Sequence, residues 1–138
     1  MTTNRKKLVK KLDQLCRKIL LIRDRYAGDM FRCVSCRRLY PIQTAQVGHY
    51  ISRRYESLRW DTRNIALQCP ACNKWKSGNT VEYRKALVEI YGEDEVVRME
   101  TFYRESPHYS VFDLEQLLKE KQEVLKAFIS DNAVGVKR

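Results

Sequence analysis

Two C-x-x-C pairs restrict the folds open to this 138-residue chain: Cys33 with Cys36, and Cys69 with Cys72. Each pair can present two thiolates from one tight turn, and four thiolates suit a tetrahedral structural zinc site. The alternatives are disulfide bonds or buried thiols. We predict one structural Zn²⁺ held by all four cysteines. Cys16 lies at helical spacing among apolar residues and is predicted to be a core residue.

Three polar residues follow a pattern between and after the cysteine pairs. His49 lies in an alternating run that predicts a strand, and Asn64 opens a second strand-like run that ends at Gln68. Asn73 directly follows the last cysteine, where a helix can begin with Pro70 in its first turn. A histidine by itself is more often structural than catalytic. The order strand, strand and helix, enclosed by cysteine pairs, favours a functional site.

This order resembles the HNH, or ββα-metal, endonuclease motif in its zinc-bound form. Longer stretches are similar to the NinG/Rap recombination proteins of lambdoid phages, from about Arg17 to the last helix. The matching stretches are Gly48-His49-Tyr50, Leu58-Arg59-Trp60-Asp61-x-Arg63-Asn64, Gln68-Cys69-x-x-Cys72-Asn73-x-x-Lys76-Ser77-Gly78-Asn79, Tyr83-Arg84-x-x-Leu87 and Gly92-x-x-x-Val96. The resemblance implies cleavage of branched DNA, including Holliday junctions and displacement loops.

Within such a motif the three polar residues have distinct chemistry. A neutral His49 can take a proton from water near neutral pH, as a general base does. Asn73 can offer a carbonyl oxygen to Mg²⁺ or Mn²⁺, which would stabilise charge on the phosphate and the leaving oxygen. Asn64 is expected to bond backbone across the loop and so orient His49.

The sequence also departs from the fuller HNH pattern. Gly48 stands where many members have a metal-binding Asp or His, and Ser77 stands where some have a further His. Asp61 is the better carboxylate candidate for the catalytic metal. It could equally form a salt bridge with Arg59 or Arg63.

The charge of the chain favours a nucleic-acid partner. The net charge is +10, and residues 1–79 hold 18 Lys and Arg against 5 Asp and Glu, which gives +13. Residues 80–138 give −3, from 9 against 12. Basic side chains near the site suit a phosphate backbone, although a solvated basic surface is the alternative. The candidate DNA-binding residues are Arg53, Arg54, Arg59, Arg63, Lys74 and Lys76. Tyr55 and Trp60 could stack on unpaired bases or pack in the core.

We predict an α+β fold, a zinc-stapled ββα-metal core between helices, in one domain. Its parts are an N-terminal helix within 1–28, the zinc and HNH-like core over 29–79, C-terminal helices over 80–129 and a flexible tail over 130–138. The amphipathic pattern of the first helix covers residues 5–26. Further boundaries are Asn79 with Glu82 as a cap, Gly92 as a stop, a helix over 93–103, a break at Ser106-Pro107-His108 and Ser110 with Asp113 as a cap.

The predicted function is a metal-dependent DNA endonuclease of phage recombination, selective for branched DNA. The alternatives are a sequence-directed HNH nicking enzyme and a zinc-based DNA-binding module without catalysis. Two paired cuts on a junction would suit a symmetric homodimer. Charges interrupt every apolar run, so neither a signal peptide nor a membrane span is predicted. The cysteine pairs favour a reducing compartment, hence the cytoplasm. No organic cofactor is expected.

Overall fold

The computed structural model describes residues 3–105 and 108–133. The chain forms two compact units, one of residues 1–23 with 109–138 and the other of residues 24–108. This division was not anticipated from the sequence. Helices and short antiparallel strands together make an α+β fold, as predicted.

The first unit is built on two long helices, α1 (Thr3–Arg23) and α5 (Val111–Ala133). Helix α1 ends three residues earlier than its apolar pattern predicts, and Tyr26 lies beyond it with 49% of its surface exposed. Cys16 is buried, as predicted, and burial raises the pKa of its thiol to about 11. The buried residues of α1 are Leu8, Leu12, Leu15, Cys16, Ile19 and Leu20.

Helix α5 begins with the capping box that the sequence predicts. The backbone N–H of Asp113 donates to Ser110 Oγ at 3.1 Å, and the backbone N–H of Ser110 donates to Asp113 Oδ2 at 3.0 Å. The helix continues to Ala133, so residues 130–133 are helical although a flexible tail was expected there. The rest of that tail, residues 134–138, lies outside the described residues.

The second unit contains two antiparallel strand pairs. Strand β1 (Met30–Arg32) pairs with β2 (Leu39–Pro41), and β3 (Gln46–His49) pairs with β4 (Ile65–Gln68). A 3-10 turn lies between β2 and β3, the short helix α2 (Glu56–Arg59) lies between β3 and β4, and a π-helical turn (Ala71–Trp75) follows β4. The predicted order of strand, strand and helix is therefore present around His49, Asn64 and Asn73.

Two further helices cover this arrangement, α3 (Thr80–Tyr91) and α4 (Glu93–Phe102). Gly92 separates them at φ +93°, a conformation that favours glycine, so its predicted role as a stop is confirmed. Asn79 is the N-cap residue of α3, as predicted, but its side chain makes no capping hydrogen bond, so the predicted capping box does not form. The core here combines Val34, Leu58, Ala66, Tyr83, Ala86, Leu87, Val96 and Met99.

The remaining break was predicted at Ser106-Pro107-His108, and its first two residues lie outside the described part. His108 Nδ1 is 3.4 Å from Glu56 Oε2. Among the described helices, none combines the length and apolar character needed to cross a membrane.

Candidate functional site

The four cysteines predicted to bind zinc come together. The Sγ atoms of Cys33, Cys36, Cys69 and Cys72 all lie within 4.8 Å of one another, and those of Cys36 and Cys69 are 4.0 Å apart. Four thiolates bound tetrahedrally to zinc would be separated by about 3.8 Å, given a zinc–sulfur bond of about 2.3 Å. A disulfide needs about 2.05 Å. The cluster therefore has the spacing of a metal site, and its donor set suits zinc.

Hydrogen bonds to the sulfur atoms support this assignment. The Cys72 backbone N–H donates to Cys69 Sγ at 3.4 Å, and Asn79 Nδ2 donates to Cys72 Sγ at 3.5 Å. Burial raises the pKa of Cys33 to about 12 in the metal-free protein. Burial also acts to raise the pKa of Cys36, but hydrogen bonds from the Tyr40 hydroxyl and the backbone outweigh it and lower that pKa to about 7.

The local backbone brings the two cysteine pairs to one place. The first pair lies in the turn between β1 and β2, where Arg37 adopts φ +66° and its N–H bonds the Cys33 carbonyl at 3.0 Å. The Val34 N–H donates to the Leu67 carbonyl at 3.1 Å, which joins this turn to β4. The second pair follows β4 directly. A bound zinc would therefore link the β1–β2 hairpin to the junction between β4 and the π-helical turn.

His49 ends strand β3, where it pairs with Ile65, and its side chain is half-buried. Its Nε2 is 3.0 Å from the backbone carbonyl of Arg59. A carbonyl oxygen only accepts, so Nε2 donates, and in the neutral ring Nδ1 is then the basic nitrogen. The ring is thus held in one tautomer by the loop that connects β3 to β4.

Asn64 holds that loop together. It is fully buried, its Oδ1 accepts the Ile51 N–H at 2.8 Å, and its Nδ2 donates to the carbonyls of Ile51 at 2.9 Å and Leu58 at 3.1 Å. The Leu58 carbonyl is one residue before that of Arg59, the partner of His49. The bonds across the loop are those expected from the sequence, and the role of Asn64 in catalysis stays a prediction.

Asn73 is attached to the other end of β3. Its backbone N–H donates to the Cys69 carbonyl at 3.0 Å, and its Nδ2 donates to Gln46 Oε1 at 2.9 Å. This leaves Oδ1 as the side-chain atom that could face a cation. Gln46 and His49 are three residues apart, about 10 Å along a strand, and regular alternation points them to opposite faces. Asn73 is therefore held at the Gln46 end of β3, apart from the group that His49 and Asn64 form at the other end.

Gly48 has a steric reason to lack a side chain. A Cβ there would lie 1.9 Å from Gln68 Oε1 and 2.5 Å from Gln68 Cδ. The Gln68 amide is fixed, since its Nε2 donates to Ser35 Oγ and to the Gly78 carbonyl, both at 2.7 Å. Gln68 Oε1 is buried without a hydrogen-bond partner among the described residues. The side chain of Gln68 thus occupies the space that a residue at position 48 would need.

Asp61 takes up the ion pair that the sequence left as an alternative. Its carboxylate accepts from the Arg63 guanidinium at 2.9 and 3.1 Å and from the Arg63 N–H at 2.9 Å. Arg63 also pairs with Glu95 at 2.8 Å, and the hydrogen bonds that its guanidinium donates to Asp61 raise the Arg63 pKa. Asp61 as a ligand of a catalytic metal stays a prediction, but its oxygen atoms already have cationic partners.

The candidate DNA-binding residues differ in their surroundings. Arg53 and Arg54 are exposed in the loop after β3, and the Arg54 guanidinium lies 5.2 Å from the Tyr55 ring centre. The Tyr55 ring is also in edge contact with Tyr103, with 4.6 Å between centres. The Arg59 guanidinium lies 5.4 Å from the ring of Trp60, which is buried. Trp60 therefore packs in the core, and stacking on a base is excluded for it in this conformation.

One exposed residue was not identified from the sequence. Trp75 ends the π-helical turn with 84% of its surface exposed, between the exposed residues Lys74 and Lys76. A tryptophan between two lysines was the available signal, but burial cannot be read from such a short pattern.

The family model described as Bacteriophage Lambda NinG protein matches residues 2–130. The chain belongs to the NinG family. Among its relatives, the NinG protein of Escherichia phage lambda is 34% identical over 95 residues, 68% of this chain and 46% of the phage lambda protein. That of Salmonella phage P22 is 46% identical over 61 residues, 44% and 30% of the two chains.

The NinG protein of Escherichia phage 933W is 41% identical over 70 residues, which is 50% of this chain and 34% of the phage protein. The matched part thus spans less than half the length of these NinG relatives. No solved structure matches the chain significantly.

Proposed function

We propose that this NinG-family chain is a metal-dependent DNA endonuclease of phage recombination that selects branched DNA. The observation that carries the proposal is that a backbone hydrogen bond holds the His49 ring in one tautomer. Its Nε2 is committed to the Arg59 carbonyl, and the loop that supplies this carbonyl is bridged by the buried Asn64. This arrangement lies between two strands and a helical turn that the cysteine cluster joins.

In the proposed reaction His49 is the general base. Nδ1 takes a proton from the attacking water, and the Arg59 carbonyl then stabilises the imidazolium through the Nε2–H bond. Asn64 acts as a positioning residue, because it satisfies three backbone groups of the loop and fixes where the Arg59 carbonyl lies. Zinc at the cysteines would hold this scaffold and take no part in the chemistry.

A Mg²⁺ or Mn²⁺ ion would stabilise the negative charge that develops on the phosphate and on the leaving oxygen. Asn73 Oδ1 is the candidate protein ligand, since Nδ2 is used by Gln46. An amide oxygen suits a hard cation. Position 48 supplies no ligand and Asp61 is paired with Arg63, so water and DNA phosphate oxygens would complete the coordination.

The exposed basic residues support DNA as the substrate. Arg53, Lys74 and Lys76 are exposed and form no ion pair with a described residue. Their charges are therefore available to phosphates. The proposed selectivity for branched DNA rests on the family resemblance. A pair of cuts on one junction would require two copies of the chain.

The test is cleavage of a labelled four-way junction and of a linear duplex with the same sequences, with and without Mg²⁺ or Mn²⁺. The proposal expects metal-dependent cleavage of the junction well above that of the duplex. Equal nicking of both substrates at one sequence would instead favour a sequence-directed nuclease. Tight binding without cleavage at any metal concentration would favour a non-catalytic zinc module.

A further inference from the structure

Trp75 is far more exposed to solvent than the other tryptophan of the chain. The chain has two tryptophans: Trp60 is 2% exposed, whereas Trp75 is 84% exposed. A tryptophan side chain carries a large apolar surface, and leaving it in water forgoes the free energy that burial would supply. A tryptophan in this position is more informative than an exposed leucine or valine.

The backbone that presents Trp75 is held in place from several sides. The Lys76 N–H bonds the Ala71 carbonyl at 3.0 Å, which closes the π-helical turn, and such turns often occur at functional sites. The Gly78 N–H then bonds the Cys72 carbonyl at 2.8 Å, and the Gly78 carbonyl accepts from Gln68. The turn that carries the ring is thus fixed to a zinc-site cysteine and to β4.

The residues on either side of Trp75 in the chain are cationic rather than apolar. Lys74 and Lys76 flank it, both are exposed, and neither pairs with an acidic residue among those described. The next residue, Ser77, is exposed and polar. A protein-binding hot spot would be expected to have apolar neighbours around the tryptophan. An aromatic face between two cations instead matches a nucleic-acid base with its adjoining phosphates.

We propose that Trp75 stacks on an unpaired DNA base, while Lys74 and Lys76 hold the phosphates on either side. A base inside a duplex is already stacked on its neighbours, so the platform favours single-stranded or branch-point nucleotides. Asn73 lies two residues before the ring on the same turn, which places the held strand next to the candidate metal ligand. This inference rests on DNA as the partner in the proposed function, and not on cleavage.

The first measurement is binding by Trp75→Ala and Trp75→Phe to an oligo(dT) strand and to a duplex of equal length, without divalent cations. Stacking is typically worth about 1–3 kcal/mol per base, so Trp75→Ala should bind the single strand about 5- to 150-fold more weakly. Duplex binding should change less than about twofold. Trp75→Phe, which keeps an aromatic face, should recover most of the affinity.

The second measurement uses the intrinsic fluorescence of the parent chain. Trp60 is shielded from solvent, so oligo(dT) should quench the Trp75 emission in the parent and have little effect on Trp75→Phe. Phe102→Ala, which removes another exposed aromatic side chain, is the matched control and should bind like the parent. Lys74→Ala with Lys76→Ala should weaken binding to the single strand and to the duplex alike.

Unchanged single-strand binding by Trp75→Ala would overturn the inference, as would an equal loss on single strand and duplex. Loss of self-association in Trp75→Ala, with single-strand binding kept, would assign the ring to a protein interface and also overturn it. These results do not depend on catalysis, because no divalent cation is present. A parent protein that binds but never cuts would refute the endonuclease proposal and leave this inference standing.

Discussion

Single residues in this protein act mainly through the backbone groups that they hold. Asn64 satisfies both polar groups of the Ile51 backbone, and His49 is oriented by the Arg59 carbonyl. Buried amides of this kind are costly to remove, because each leaves polar groups without partners. Substitutions can therefore test the role of His49 separately from the role of the residues that orient it.

His49→Ala should retain zinc, fold and most DNA affinity but lose cleavage. Removing a general base typically costs about 100- to 10,000-fold in rate, roughly 3–5 kcal/mol of barrier. Asn73→Ala should also cleave slowly, but higher Mg²⁺ or Mn²⁺ should partly restore its activity, because Asn73 is proposed as a ligand. The measurement is the cleavage rate of both variants as a function of metal concentration, together with their thermal melting. Parent-like cleavage by a folded His49→Ala would contradict the assigned mechanism.

Gly48→Asp restores the residue of the fuller HNH pattern, yet it should destabilise the protein. Its Cβ would meet the Gln68 amide, which two hydrogen bonds hold in place. Overpacking of this kind typically costs about 1–3 kcal/mol. Urea denaturation of Gly48→Asp, Gln68→Ala and the double variant measures the coupling. The double variant should be more stable than the sum of the single changes predicts, whereas additive changes would show that the two positions do not compete for space.

At the scale of elements, the cysteine cluster joins parts that local hydrogen bonding would leave weakly connected. Strands β1 and β2 each have three residues, and β3 and β4 have four. Isolated two-stranded pairs of this size are marginal in water. The sequence predicted β3 from alternation and β4 from the strand-like run after Asn64, but it did not predict the β1–β2 hairpin, whose three-residue strands are too short to show a periodic pattern.

Zinc removal should loosen the second unit. One Zn²⁺ per chain is expected, and a strong chelator should lower the melting temperature, because metal binding is coupled to folding. The affinity of the protein for zinc should fall as pH falls. In the metal-free protein burial raises the Cys33 pKa to about 12, so zinc must displace a proton there. Elemental analysis and melting curves at several pH values test this. Reduced, folded protein without zinc would contradict it, and Cys16→Ala should bind zinc normally.

For the whole molecule, the asymmetry of charge is the property that should most affect the proposed DNA binding. The acidic residues concentrate after residue 79, and several of them pair with arginines there, as in Arg84 with Glu93 and Glu100 and Arg98 with Glu95. These pairs cancel charge locally. Arg53 and Arg54 lie in the basic half and have no carboxylate partner among the described residues.

DNA affinity should therefore fall steeply with salt, and Arg53→Ala with Arg54→Ala should flatten that dependence. Each phosphate contact contributes about 0.9 to the slope of log affinity against log salt, so the slope should drop by up to about 1.8. Arg98→Ala with Arg104→Ala removes the same charge from the acidic half and should change the slope little. DNA-binding titrations at several salt concentrations compare the two double variants. A loss confined to one DNA sequence would contradict phosphate clamping.

Some features of this protein follow from the sequence alone because short spacings decide them. The two C-x-x-C pairs specify four candidate metal ligands, the Ser110 capping box specifies the start of α5, and Gly92 specifies a helix end. Each depends on residues within a few positions of one another, where backbone geometry is regular.

Other features were decided only by tertiary structure. Trp60 is buried and Trp75 exposed, although both lie among basic residues in the sequence. The Asn79 side chain donates to Cys72 Sγ instead of capping α3, and Gln68 fills the space beside Gly48. Each outcome depends on which distant segments of the chain come into contact, and the local sequence pattern carries no information about those contacts. The physical reason is that burial and hydrogen-bond competition are properties of the packed chain.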